Sequence, residues 1–240
     1  MNRKLKIGAF ALGLIVLFLI LQYDFTEDDS WESWNLPLTG KMILLDAGHG
    51  GPDGGAGDKG ALEKEIALDV TLKVRDYLQQ QGALVLMTRE DDRDLAPDGT
   101  RGYSRRKVED LKKRLEMINK SGAEFFVSIH LNAIPSPRWS GAQTFYASRL
   151  DENARAAKFI QDELRRNLEN TTRKAKVLNE EVYILKHAKI PGSLVEIGFL
   201  SNPQERAILK KEEYQEKVAA SIYTGILRYF SKEKELVEEE

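Results

Sequence analysis

The chain has 240 residues, 42% hydrophobic and 31% charged, with a net charge of -2. That balance fits one globular domain with a short extension, excludes an intrinsically disordered chain, and lacks the basic excess of a nucleic-acid binder. There is no cysteine, so disulfides and thiolate metal sites are excluded, and any metal must be held by His, Asp or Glu.

In chain order, Arg3, Lys4 and Lys6 precede an unbroken apolar run, Ile7–Leu21. Fifteen residues suit a signal-peptide core better than a full membrane span of about 20. No small-x-small cleavage site follows, so residues 1–23 are expected to be a signal peptide or a retained membrane anchor. The basic flank stays cytoplasmic and the remainder is expected to be exported. Residues 24–40, acidic and carrying Trp31 and Trp34, read as a linker.

The domain is expected over 41–230. Met42–Leu45 is a buried strand that runs into a Gly-rich loop, Gly48–Gly60, with seven glycines in thirteen positions. Apolar residues at 66, 67, 70, 74, 77 and 78 predict a helix over Glu63–Gln80, ended by Gly82. Ala83–Met87 is a strand, and Tyr103–Asn119 a helix. The basic run Arg101–Arg114 is read as a solvated helix face. Phe125–Ile129 is a strand, Gln143–Tyr146 an edge strand, and Asp151–Leu168 a helix. Val182–Leu185 and Ser193–Ile197 are read as strands, Glu212–Phe230 as the closing helix, and 231–240 as an acidic tail. Strands alternating with helices imply a single α/β domain with a mostly buried sheet.

His49, His130 and Glu196 fall at the ends of predicted strands, where sites form in open α/β sheets. A carboxylate there needs a partner, since burying it unpaired is costly. Two histidines and a carboxylate converging on one sheet edge fit a catalytic zinc with three protein ligands and a position left for water. Spacing leaves the third ligand open among Asp46, Asp53, Glu63 and Glu65; Glu63 serves equally well as a first-turn residue favoured by the helix dipole. The Gly-rich loop lacks both phosphate-binding patterns and suits backbone contact with a sugar or peptide. His187, the third histidine, is assigned a surface role, and Asp91-Asp92 a turn.

Five blocks carry a resemblance: Leu45–Ala56 (LDAGHGGPDGGA), Glu63–Leu68 (EKEIAL), Met87–Asp92 (MTREDD), Val127–Ala133 (VSIHLNA) and Leu194–Asn202 (LVEIGFLSN). In that order, over about 42–230, they resemble the zinc-dependent N-acetylmuramoyl-L-alanine amidases of bacterial cell walls, and within them the germination-specific type of spore formers. The resemblance implies a twisted, mostly parallel six-stranded sheet with helices on both faces. It makes His49, Glu63 and His130 the zinc ligands and Glu196 the catalytic carboxylate. The implied reaction is hydrolysis of the amide between N-acetylmuramic acid and L-alanine of the stem peptide. The resemblance places the exported domain in the cell wall or the spore intermembrane space, where the reaction would serve muramic-lactam formation alongside a deacetylase or an activating partner.

Only 65 residues separate His130 from Glu196, too few for the zinc-blocking helical insert of division amidases. Two other functions share these residues. A zinc exopeptidase would want a cation for a terminal carboxylate, with Arg89 the one motif arginine available. A non-catalytic wall-binding protein would need neither the full ligand set nor Glu196.

Overall fold

The apolar runs beyond residue 41 pair into one sheet whose carboxyl edge carries the polar residues. A computed structural model describes residues 2–22, 36–58, 60–178, 182–231 and 233. Residue 23, most of the expected linker (24–35) and most of the acidic tail (232 and 234–240) lie outside the described residues. The chain divides into two units, 1–36 and 37–240. In the first, Arg3–Gln22 forms helix α1. Among the described residues, no helix is long and apolar enough to cross a membrane.

The second unit contains, in order, β1 (Met42–Ala47), β2 (Gly57–Asp58), β3 (Ala61–Leu62), α2 (Glu63–Gln80), β4 (Leu84–Met87), α3 (Tyr103–Lys120), β5 (Phe125–Asn132) and β6 (Gln143–Tyr146). These are followed by α4 (Asp151–Leu168), β7 (Lys176–Val177), α5 (Tyr183–His187), β8 (Gly192–Phe199), α6 (Pro203–Leu209) and α7 (Glu212–Phe230). The six-stranded sheet has the order β4-β1-β5-β8-β6-β7. Strands β4, β1, β5 and β8 are parallel, β6 runs antiparallel to β8, and β7 is parallel to β6. β2 and β3 form a separate hairpin inside the Gly-rich loop.

Alternation along the strands sorts the two faces. Ile43, Leu45, Phe125, Val127, Ile129, Val195 and Ile197 pack with α2, α4 and α7. Leu44, Phe126 and Leu194 face the other way, toward Ile118 of α3 and Ile184 and Leu185 of α5. Helices therefore cover both faces. Leu38 is fully buried in the larger core, and its N–H donates to Gln81 O at 2.9 Å. The packed body thus begins at Pro37, ahead of the expected residue 41.

Three expectations are corrected. Val182–Leu185 is not a strand: Tyr183–His187 is a short helix that buries Ile184 and Leu185. Its Val-Tyr-Ile run has β character, but docking on the α3 side of the sheet decides the conformation. Gln143–Tyr146 is not at the edge, because the two-residue β7 lies outside it. The run Arg101–Arg114 is not solvated throughout, because Arg114 is buried at 1% exposure. Helix α6 went unread although its start signal is present. Asn202 Oδ1 accepts from Gln204 N and Glu205 N, and Pro203 sits at the first helical position.

Candidate metal centre and active site

The residues that converge here come from the ends of three elements. β1 runs into the loop carrying His49, β5 carries His130, and the first turn of α2 carries Glu63. One ligand atom from each lies within 4.8 Å of the others. Glu63 Oε1 is 3.1 Å from His49 Nε2 and 3.0 Å from His130 Nδ1. Two ligands of a tetrahedral zinc, each about 2.0–2.1 Å from the ion, stand roughly 3.3 Å apart, so this spacing matches a tetrahedral edge.

The other candidates for the third ligand lie elsewhere. Glu65 is exposed. Asp46 is buried beneath the site and committed to Arg114, Thr88 and Ser128. Asp53 Oδ2 stands 3.0 Å from His49 Nδ1, on the far side of the ring from Glu63. It is a neighbour of the donor set and not a member. His187 is exposed on α5, outside the cluster, with its ring against Tyr183. Asp91 and Asp92 do sit in a turn, where Asp92 accepts from Gly51 N and pairs with Lys64.

The carboxylate of Glu63 is held at both oxygens. Oε2 accepts from Ala56 N at 2.8 Å and Oε1 from Leu131 N at 3.0 Å. Burial alone would raise its pKa, but His130 and His49 outweigh that and hold it well below the usual carboxylate range. His49 is opposed by burial but raised to about 9 by Asp53 and Glu63. Two carboxylates flank this ring and favour positive charge there, and Lys107 Nζ stands 3.2 Å from the same Asp53 Oδ2.

His49 has a left-handed backbone, φ 61°, uncommon for a residue other than glycine. Two buried arginines, unforeseen as structural, hold that turn. Arg114 donates to Ala47 O at 2.7 Å and His49 O at 2.5 Å while pairing with Asp46 and Asp110. Arg89 donates to the carbonyls of Ala47, Gly48, Lys64 and Asp91. Its guanidinium is consumed by backbone, so it offers no clamp for a peptide carboxylate. Two glycines make room. A Cβ on Gly48 would stand 2.4 Å from the His130 ring, and one on Gly55 (φ +67°) 2.6 Å from Glu63 Oε2.

Glu196 pairs in register with His130 across β5 and β8, so both side chains rise from the same face. Burial pushes its carboxyl up; His130 draws it back, Glu63 adds to the rise, and the balance is about 7. Its Oε2 is buried and has no hydrogen-bond partner. An orphaned carboxylate oxygen beside a His–Glu–His donor set fits a site where those three residues would hold a metal. Between His130 and Glu196 the described chain forms β6, α4, β7 and α5.

Residues 43–228 match the model of the N-acetylmuramoyl-L-alanine amidase family. The chain is 60% identical over 231 residues to the germination-specific N-acetylmuramoyl-L-alanine amidase of Bacillus subtilis strain 168, covering 96% of this chain and 97% of that protein. The CwlD amidase from Clostridioides difficile, solved in complex with the GerS lipoprotein, has a TM-score of 0.77 and 43% identity, over 80% of this chain and 100% of that one. The catalytic domain of the CwlV amidase from Bacillus (Paenibacillus) polymyxa has a TM-score of 0.67 and 30% identity, over 80% of this chain and 98% of that one. The His–Glu–His donor triad, the orphaned Glu196, the sheet order and these likenesses agree: the chain belongs to the N-acetylmuramoyl-L-alanine amidase family.

Proposed function

We propose that this chain hydrolyses the amide between N-acetylmuramic acid and the L-alanine of the stem peptide in peptidoglycan, using zinc held by His49, Glu63 and His130. The observation that carries the reading is the buried, unpartnered Oε2 of Glu196 beside that donor set in a chain of the amidase family. When bound, zinc supplies Lewis acidity toward the scissile carbonyl and makes water more acidic.

The protein's own groups do the rest. Glu196 takes a proton from the attacking water at Oε2 and delivers it to the amide nitrogen as the C–N bond breaks. L-alanine leaves as a free amine, and the lactyl carbonyl becomes a carboxylate. A carboxyl pushed up toward neutrality is suited to traffic in both directions. Asp53 and the backbone donors on Glu63 fix the orientation of the ligands, and Arg89 and Arg114 fix the loop that carries His49.

The exopeptidase reading loses support because Arg89 is buried and donates to four backbone carbonyls. A purely wall-binding protein has no use for an unpartnered carboxylate at a strand end. The name of the Bacillus relative favours spore cortex as the substrate, with stem-peptide removal preparing muramic acid for lactam formation. The Clostridioides neighbour was solved with a lipoprotein. A lipoprotein is therefore the first partner to seek, ahead of the expected deacetylase. Such a role requires action outside the cytoplasm, with residues 1–23 as export signal or anchor.

The test is to digest purified peptidoglycan with the full chain and identify the fragments by mass spectrometry. Free L-alanine amino termini on intact stem peptides are expected, together with about one zinc per chain, loss of activity on chelation and recovery with zinc. Cleavage within the stem peptide, or full activity in a verified metal-free sample, would overturn the reading.

A further inference from the structure

From Gln143, the cross-strand neighbour of Glu196, a line of side chains leads to the protein surface. Gln143 of β6 stands directly opposite Glu196 of β8 in the antiparallel register. Directly opposed side chains have Cβ atoms about 4.5–5.5 Å apart. Gln143 Oε1 accepts from Arg173 Nη1 at 3.1 Å, and Arg173 Nε donates to Ser140 O at 3.0 Å. The Arg173 guanidinium lies over two rings, Phe199 at the end of β8 (5.0 Å) and Trp139 (5.4 Å). Trp139 is 49% exposed although Arg173 covers one of its faces. Asn202 Nδ2 anchors its backbone by donating to Trp139 O at 3.3 Å.

Beside this stack is a hollow of about 510 Å³, lined by Trp139, Arg138, Asn170, Thr172 and Arg173 among others. Both segments that form it precede strands entering the sheet at the Glu196 edge: Arg138–Ser140 before β6, and Asn170–Arg173 before β7. Single exposed apolar residues are ordinary. A tryptophan braced by an arginine that is itself pinned to Gln143, the cross-strand neighbour of Glu196, and ringed by amide and hydroxyl groups is a preorganised platform.

We propose that this hollow is a saccharide subsite. Trp139 stacks on a hexosamine ring of the glycan strand neighbouring the muramic acid whose amide is cut, and Arg138, Asn170 and Thr172 contact its hydroxyl and acetamido groups. The inference rests on the amidase reading and adds which part of the polymer is gripped beyond the scissile bond. A sugar ring offers an axial C–H face to the indole and polar groups around its rim, matching an aromatic floor with polar walls.

Two measurements on the full chain test it. In the first, kcat/KM is compared between peptidoglycan strands and a single muramyl-peptide fragment. The wild type should favour the strand, and Trp139→Ala should reduce that preference by about tenfold, the worth of one aromatic stacking contact, with Trp139→Phe between the two. In the second, tryptophan fluorescence is titrated with peptide-free glycan oligosaccharides, which needs no turnover. Saturable quenching is expected in the wild type and not in Trp139→Phe. If hydrolysis at the muramyl amide fails while the oligosaccharide still quenches Trp139, the amidase reading falls and the subsite stands. If hydrolysis proceeds and Trp139→Ala keeps the full strand preference, the subsite is overturned. A variant that instead changes discrimination between stem peptides also overturns it, assigning the hollow to the peptide.

Discussion

Glu63 and Glu196 differ in what their oxygens already touch. Both oxygens of Glu63 are engaged, by Ala56 N and by Leu131 N with the two imidazoles, whereas Oε2 of Glu196 has no partner. Glu196→Gln keeps the shape but cannot accept a proton. It should bind zinc like the wild type and lose hydrolysis by roughly 10²–10⁴-fold, the usual worth of a positioned acid–base group. Glu63→Ala should lose zinc and activity together, with partial rescue by excess zinc. Exposed Glu65→Ala should match the wild type. Zinc stoichiometry and release of L-alanine amino termini, measured on all three, check this; normal hydrolysis by Glu196→Gln would place the base elsewhere. Asp53 acts one step further out. Its Oδ1 accepts from Tyr103 Oη at 2.8 Å and from Gly55 N at 3.1 Å, while Oδ2 lies beside His49 Nδ1 and Lys107 Nζ. A carboxylate behind a histidine ligand is typically worth about 10–100-fold in metal affinity. Asp53→Asn should weaken zinc binding by that range in a chelator competition, and unchanged affinity would reduce Asp53 to a turn residue.

At the scale of elements, β1, β5 and α3 are joined under the site by a buried polar cluster. Asp46 accepts from Arg114, Thr88 and Ser128, and Arg114 reaches on to Asp110 and to the carbonyl of His49. Burial alone would raise the Asp46 pKa, but Arg114 with the Ser128 and Thr88 hydroxyls brings it down to about 2. The folded pKa is below the unfolded one, so the proton binds better to the unfolded chain. The stabilisation is complete above about pH 5 and is lost as pH falls through 4 toward 2, amounting to about 2 kcal/mol. Asp46→Asn should cost roughly 3–5 kcal/mol at pH 7, because it leaves Arg114 under-paired, and the deficit should narrow on acidification. Urea midpoints of chelated protein between pH 7 and pH 3 measure this; a gap that stays constant with pH would remove Asp46 as its source. This cluster also marks where sequence reading stops. His49, His130 and Glu196 stand out because polar residues end apolar strands. Arg114 sits among exposed cations at helical spacing, and its partner Asp46 is 68 positions away, so no local pattern separates it from its neighbours. The misread α5 has the same origin, since a short run of Val, Tyr, Ile and Leu suits either conformation until its docking face is known.

Across the whole molecule, the α/β class and the covering of both sheet faces follow from alternating elements, because a strand buried on both sides needs apolar residues at successive positions. Strand order does not follow from pattern: β1 lies between β4 and β5, and β6 between β8 and β7. Hairpin β2–β3 and strand β7 have two residues each, too short to carry a period. The start of the folded body was obscured for a different reason. Leu38 lies in a stretch whose acidic residues suggest a tether, yet its side chain is fully buried in the core shared with α2, β1 and α7. Its N–H reaches Gln81 O at the end of α2, and its carbonyl accepts from Lys41 N. A fragment spanning 37–231 should therefore fold alone, whereas one spanning 41–231 loses this anchor. Full burial of a leucine is worth about 1.5–3 kcal/mol, so the shorter fragment should be less stable by that amount. Leu38→Ala in the longer fragment should reproduce most of the loss, since the side chain carries more of it than the two backbone hydrogen bonds. Urea unfolding of the three proteins, with the slope checked for constancy, gives the comparison. Equal midpoints for the 37–231 and 41–231 fragments would return residues 37–40 to the linker.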